Sequence, residues 1–150
     1  MKTPSGFRGT FRDDIAARAV YSEAAGIGRI IPQAVAVPED AGDIVALIQW
    51  ARAESIPITV RGSGSSMAGG AIGPGVIVDV SGMNAIGDVD VQSRRITVGP
   101  GAIRENVNAA ALKKGLRFPV DPSSGKFCTI GGMVSTNASH RPLCPARRDA

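Results

Sequence analysis

Apolar residues fall in short runs along this chain, and their spacing predicts alternating strands and helices. "IIPQAVAVP" at 30–38 and "GVIVDVSGM" at 75–83 read as buried strands, the first bounded by prolines. Between them, "EDAGDIVALIQWARAESIP" at 39–57 places Ile44, Leu47, Ile48 and Ala51 at i, i+3, i+4 and i+7, one face of a helix. Asp40 is a suitable N-cap, Asp43 adds negative charge to the first turn, and Pro57 ends the pattern. "ITV" at 58–60 follows as a strand, so residues 30–60 predict a β-α-β unit.

Further along, "DVDVQSRRITVGPGA" at 88–102 predicts a two-stranded hairpin with "QSRR" at its turn. "IRENVNAAALKKGL" at 103–116 predicts a helix with Ile103, Val107, Ala110 and Ala111 on one face and Gly115 as its stop. Within the leading segment, residues 1–29, the stretch 13–25 suits one or two helical turns. Residues 117–139 predict loop and then a small-residue turn around "TIGGMVSTNA". The last eleven residues, "HRPLCPARRDA" at 140–150, hold two prolines and four charged residues and support no periodic element. There is no internal repeat.

Composition narrows the class. Hydrophobic residues make up 43% of the 150, enough to bury a core and too many for a disordered chain. Nineteen glycines with only 4% aromatics suggest an α/β protein with many tight turns. The formal charge of +4 is spread out, without the interleaved aromatics of a nucleic-acid surface, and "SRR" at 93–95 and "ARR" at 146–148 form no stripe. An ordinary solvated surface is the simpler reading, and a nucleic-acid module is disfavoured. No apolar run approaches the roughly 20 residues of a bilayer span. The N-terminus lacks an apolar leader core, so a cytoplasmic protein is expected. Cys128 and Cys144 make no metal-ligand pattern, and His140 is the only histidine, so neither a metal site nor a histidine-based triad is supported.

The most informative stretch is "VRGSGSSMAGGA" at 60–71, four glycines directly after a strand. A dinucleotide fingerprint fails there: Gly62 and Gly64 fit, but Met67 holds the third position, and "AGGAIGPG" cannot form the required helix. A Walker loop fails as well. The only Gly-Lys pair, Gly125-Lys126, is followed by Phe127, and Val120 stands where the first glycine belongs. What survives is a concave nest of backbone N–H groups for an anion, with hydroxyl donors from Ser63, Ser65 and Ser66, or else a plain tight connection. A second small-residue cluster, Pro122, Ser123, Ser124, Thr129, Gly131, Gly132, Ser135, Thr136 and Asn137, offers the same kind of surface. Two such segments suggest a long, polar ligand held between them.

Taken in order, "VRGSGSSMAGGA", "GVIVDVSGMN", "ITVGPGA", "FPVDPSS" and "TIGGMVSTNAS" resemble the FAD-binding domain of the vanillyl-alcohol oxidase/p-cresol methylhydroxylase flavoprotein family. Within that family the likeness is greatest to FAD-linked 2-hydroxy-acid dehydrogenases of the glycolate oxidase subunit and D-lactate dehydrogenase type. The resemblance covers about residues 12–139. It implies an α+β, type-2 (PCMH-type) FAD-binding fold, with 1–29 as an entry segment and 30–139 as the N-terminal part of that domain, its first α/β subdomain plus the start of the second. It also implies that Arg61, Gly62, Ser63, Gly64, Ser65 and Ser66 wrap the FAD diphosphate and that Gly69, Gly70 and Ala71 line the cofactor beyond it. Pro122, Ser123, Thr129, Gly131, Gly132, Ser135 and Asn137 would contact the flavin end and ribityl chain. For Arg61 a structural salt bridge is the alternative role.

Family members that bond flavin covalently through this loop carry histidine where Ser65 stands, so the FAD is expected to be non-covalent. The family's activity would be oxidation of a 2-hydroxy acid, a small-molecule substrate, with hydride passing to flavin. No catalytic residue is expected in this chain, because the substrate domain of such enzymes lies beyond these motifs. A non-catalytic flavin-binding remnant, or an oxidase of another alcohol or sugar, stays open. After "STNAS" the family continues with a glycine, a basic residue and a "YG" pair, whereas this chain has His140 and a tail of different style. Residues 140–150 are therefore expected to be out of frame, or the chain to be a truncated product.

Overall fold

A computed structural model describes residues 1–139, arranged as a four-stranded mixed sheet with helices. The expectations for 140–150, including His140 and Cys144, lie outside the described residues. In chain order the elements are β1 (Thr10–Arg12), α1 (Ile15–Val20), β2 (Ala34–Val37), α2 (Ala41–Ala53), β3 (Ile58–Arg61), β4 (Val76–Asp79), α3 (Arg104–Leu112) and α4 (Ile130–Ser135). The strands lie side by side as β1-β2-β4-β3. β1 runs antiparallel to β2, while β4 is parallel to both β2 and β3. The predicted β-α-β unit is therefore present, but β4 is inserted between its two strands.

The two-residue period of the strands decides the core. Ala34 and Ala36 of β2 and Val76 and Val78 of β4, with Val80 just beyond, form one buried cluster with Leu47 of α2. Val35 and Ile77 are buried on the opposite face, on which α1 rests with Ala17. The helix face predicted for α2 is shifted by one position. Leu47 and Ala51 are buried as expected, Ile44 only partly, and Ile48 is 54% exposed. Asp43 takes the fully buried place instead.

That burial has a physical reason. The Asp43 carboxylate accepts backbone N–H bonds from Arg8 at 2.9 Å, Gly9 at 3.1 Å and Glu39 at 2.8 Å. These bonds hold its pKa below the usual carboxylate range. It thereby latches the leading segment onto α2. Asp40 caps α2 as predicted, its side chain accepting from the Asp43 N–H at 3.1 Å. Phe11 reinforces the latch with edge-to-face contacts to Phe7 at 6.4 Å and Trp50 at 5.7 Å between ring centroids.

Three sequence expectations need correction. The hairpin at 88–102 folds back as expected but forms only isolated bridges, Ile86 to Val98 and Asp90 to Arg95. Most of its residues face water, so neither limb has a core face to fix a longer register. The α2 helix stops at Ala53, before Pro57, because Ser55 turns left-handed at φ 54 and Ile56 N–H closes onto Ala51 O at 2.8 Å. The small-residue turn around "TIGGMVSTNA" is the helix α4. Gly115, at φ 68, closes α3 as predicted.

Candidate functional site

The strand β3 ends at Arg61 and hands the chain to the glycine loop. Gly64 and Gly69 both take positive φ, 70 and 78, which is why the chain carries glycine there. Among the described residues, the backbone N–H groups of Gly62, Ser63, Gly64, Ser65 and Ser66 donate to no protein acceptor. Such a run of donors without protein acceptors, on small residues and around a left-handed Gly64, suits an anion.

The second small-residue segment is fixed by the start of α3. Arg104 N–H donates to Cys128 O at 3.0 Å, Ile130 N–H to Ala102 O at 2.8 Å, and Gly131 N–H to Pro100 O at 2.8 Å. Thr129 then caps α4, its hydroxyl accepting from Gly132 N–H at 3.2 Å. Upstream, Arg104 is almost wholly buried and holds the 120–121 turn through Val120 O at 3.0 Å and the Asp121 carboxylate at 3.2 Å.

The two segments touch. A Cβ on Gly62 would run into the Thr129 hydroxyl, so only glycine allows the loop to lie against the cap of α4. Together they enclose a cavity of about 420 Å³. Its wall includes Arg61, Gly62, Ser63, Gly64, Ser65 and Ser66 from the first segment, with Gly70 and Ala71. From the second it includes Pro122, Thr129, Gly131, Gly132 and Ser135. Gly69, Ser123 and Asn137 do not line it. Gly69 sits in open space, Ser123 faces water, and Asn137, at φ 47, ends α4 with its N–H on Val134 O at 3.1 Å.

Sequence reasoning missed an apolar wall on the same cavity, made by Ile44, Val60, Val80, Met83, Pro100, Cys128 and Met133. Val60 and Val80 occupy strand positions whose alternation could have shown it: both stand at the ends of β3 and β4, where the sheet runs out and its α2-side face opens. Val60 is 59% exposed.

Arg61 is engaged from below. Its guanidinium donates to Glu23 O at 2.7 Å and to Ala71 O at 3.4 Å, and it lies 5.2 Å from the centre of the Tyr21 ring. Its partners are carbonyl oxygens and a ring, and among the described residues it forms no ion pair of the kind considered from sequence. Tyr21 in turn donates to Asp79 at 2.5 Å. Burial, together with that carboxylate, pushes the Tyr21 phenol up to about 12.

Free N–H donors beside a small-residue floor suit a diphosphate, and the apolar wall suits a planar ring system. The donor set thus fits a flavin nucleotide. The comparisons agree. The sequence profile of the FAD binding domain family matches residues 32–142. The chain is 35% identical to D-2-hydroxyglutarate dehydrogenase of Pseudomonas putida over 93% of its length, and 35% identical to glycolate oxidase subunit GlcD of Bacillus subtilis over 85%. It spans only 14% of the first relative and 28% of the second. Among solved structures, 6-hydroxy-D-nicotine oxidase from Arthrobacter nicotinovorans superposes with a TM-score of 0.68 at 28% identity, over 80% of this chain and 27% of that one. Alkyldihydroxyacetonephosphate synthase superposes with a TM-score of 0.75 at 24% identity, over 87% of this chain and 29% of that one, a likeness of fold.

This is a nucleotide-binding domain of the flavoprotein type, with the PCMH-type fold. The chain belongs to the FAD binding domain family, and its cofactor is FAD. No helix among the described residues is long and apolar enough to cross a membrane.

Proposed function

We propose that this chain supplies the diphosphate-binding side of the FAD site in a dehydrogenase of 2-hydroxy acids, and that it holds FAD without a covalent bond. The observation that carries the reading is the contact of Gly62 with Thr129, which joins two small-residue segments around one cavity whose lining residues 62–66 have no backbone N–H acceptor among the described residues. In this reading the N–H groups of Gly62–Ser66 take the diphosphate oxygens, with Ser63, Ser65 and Ser66 as added hydroxyl donors. Arg61 acts on the loop from behind rather than by pairing with the anion. Gly70 and Ala71 extend the surface along the cofactor, and Pro122, Thr129, Gly131, Gly132 and Ser135 border its flavin half, while Gly69, Ser123 and Asn137 lie off the cavity wall. When bound, FAD accepts a hydride, which is the chemistry the cofactor brings.

The substrate class rests on the relatives, which include a D-2-hydroxyglutarate dehydrogenase, a glycolate oxidase subunit and a D-lactate dehydrogenase of Archaeoglobus fulgidus, the last at 32% identity. Those proteins are several times longer than the matched region, so substrate selection belongs to the parts of them that this chain does not span. Ser65 stands at the loop position where a histidyl link would form, and a serine hydroxyl has no such chemistry.

The test is titration of the full 150-residue chain with FAD, followed by flavin fluorescence, and then acid precipitation. Saturable binding with all flavin recovered in the supernatant is expected. Absence of saturable binding would overturn the cofactor site as drawn here. Flavin remaining on the precipitated protein would overturn non-covalent attachment.

A further inference from the structure

The matched family region begins at residue 32, yet the glycine loop is held by residues that precede it. Ala25 N–H donates to Gly64 O at 3.0 Å. Gly26 lies so close to Met67 that a Cβ would meet the Met67 carbonyl oxygen. The Arg61 guanidinium, rooted at the base of the loop, donates to Glu23 O at 2.7 Å and stacks over Tyr21. Tyr21 is fixed in turn by its 2.5 Å bond to Asp79 at the end of β4.

Residues 21–30 are themselves a closed unit. Ile30 N–H returns to Ser22 O at 2.9 Å, Glu23 and Arg29 form a bridge and an ion pair at 3.5 Å, and Ser22 is fully buried. A unit closed on itself, with two hydrogen bonds to residues 61–64 and a close backbone approach at Met67, restricts that loop. Gly64, left-handed and in contact with the guanidinium at 2.5 Å from its Cβ position, is the residue on which those restraints converge.

We propose that Tyr21–Gly26 is a clasp that preorganises the FAD diphosphate loop, with Tyr21 and Arg61 as positioning residues. The proposal rests on the reading of Gly62–Ser66 as the diphosphate cradle. Neither Tyr21 nor Gly26 borders the cofactor cavity, so any effect of changing them must pass through the loop.

The experiment uses the full chain and two variants, Tyr21→Phe, which removes only the hydroxyl bonded to Asp79, and Gly26→Ala, which pushes the clasp off Met67. Each is examined by amide hydrogen exchange without ligand and by FAD titration. Exchange at Ala25 and Ile30, whose N–H groups are bonded to Gly64 O and Ser22 O, should quicken while Val76–Val78 of β4 is unchanged, and FAD affinity should fall roughly tenfold as the loop loses its preorganisation. A general loss of stability would instead speed exchange in both segments and would overturn the clasp. Unchanged exchange at Ala25 and Ile30 in both variants, or quickened exchange with unchanged FAD affinity, would overturn it too. Quickened exchange at Ala25 and Ile30 in a chain whose unsubstituted form does not bind FAD would leave the clasp standing and remove the cofactor reading.

Discussion

Gly62 shows how one missing side chain can set a binding site. Its Cα faces the hydroxyl of Thr129, and Thr129 is buried while Gly62 is only partly so, so an added Cβ would push the loop outward. Gly62→Ala is therefore expected to separate the loop from the cap of α4 and to weaken FAD binding at least tenfold, roughly 1.4 kcal/mol or more. Gly69→Ala is the control. Its backbone is left-handed at φ 78, but nothing lies within 4 Å of the added carbon. It should cost about 1 kcal/mol of stability from backbone strain and change FAD affinity less than Gly62→Ala does. Thermal melts and FAD titrations of the two variants separate these effects. Equal affinity losses would mean that the Gly62 to Thr129 contact has no special part in the site. The glycines were conspicuous in the sequence, but what each one faces was not. Gly62 needs a partner 67 positions away, and no local pattern encodes that distance.

The elements that were legible are those whose period is supported by burial. β2, β4 and the Leu47 and Ala51 side of α2 follow their apolar spacing because each meets the same core. Two elements escaped. β1 has three residues and exists because Asp43 captures the backbone of Arg8 and Gly9 just before it. α4, "IGGMVS", holds two poor helix formers and is sustained by the Thr129 cap and by the bonds from Ile130 and Gly131 to the 100–102 turn. In both cases long-range hydrogen bonds override weak local preference. Asp43 can be tested through pH. Its folded pKa is depressed, so the stability it supplies is present above its unfolded value near 3.9 and is lost as pH falls through the folded pKa. Asp43→Asn cannot accept three backbone N–H bonds with full negative charge and should lower the melting temperature at pH 7 by on the order of 5 °C. The gap between variant and wild type should close as the pH falls through the depressed folded pKa of Asp43. A gap that is the same at both pH values would show that the Asp43 charge does not hold the leading segment. Leu47→Ala is the pH-independent comparison, expected to cost about 2–5 kcal/mol at either pH, because it empties the centre of the core.

Seen together, the elements place one end of the parallel strands, the glycine loop and the cap of α4 around a single cavity, with the Arg61 guanidinium engaged by the carbonyls of Glu23 and Ala71. This arrangement has an electrostatic consequence. The chain carries a formal +4, so a simple reading would have the FAD diphosphate drawn in by cations. In the proposed function the loop offers neutral donors instead: five backbone N–H groups and its serine hydroxyls. Short-range hydrogen bonds to neutral dipoles are screened far less by salt than attraction between separated charges, whose range falls from about 10 Å at 0.1 M ionic strength to about 3 Å at 1 M. FAD affinity should therefore change less than about threefold between 0.05 and 0.5 M sodium chloride. FAD at one hundred times its dissociation constant should stabilise the fold by about 2.7 kcal/mol at either salt concentration. Paired titrations and melts at the two ionic strengths check both statements. A tenfold or greater loss of affinity in high salt would show that a side-chain cation holds the diphosphate. Arg61, turned toward its carbonyl partners here, would then have to release them on binding.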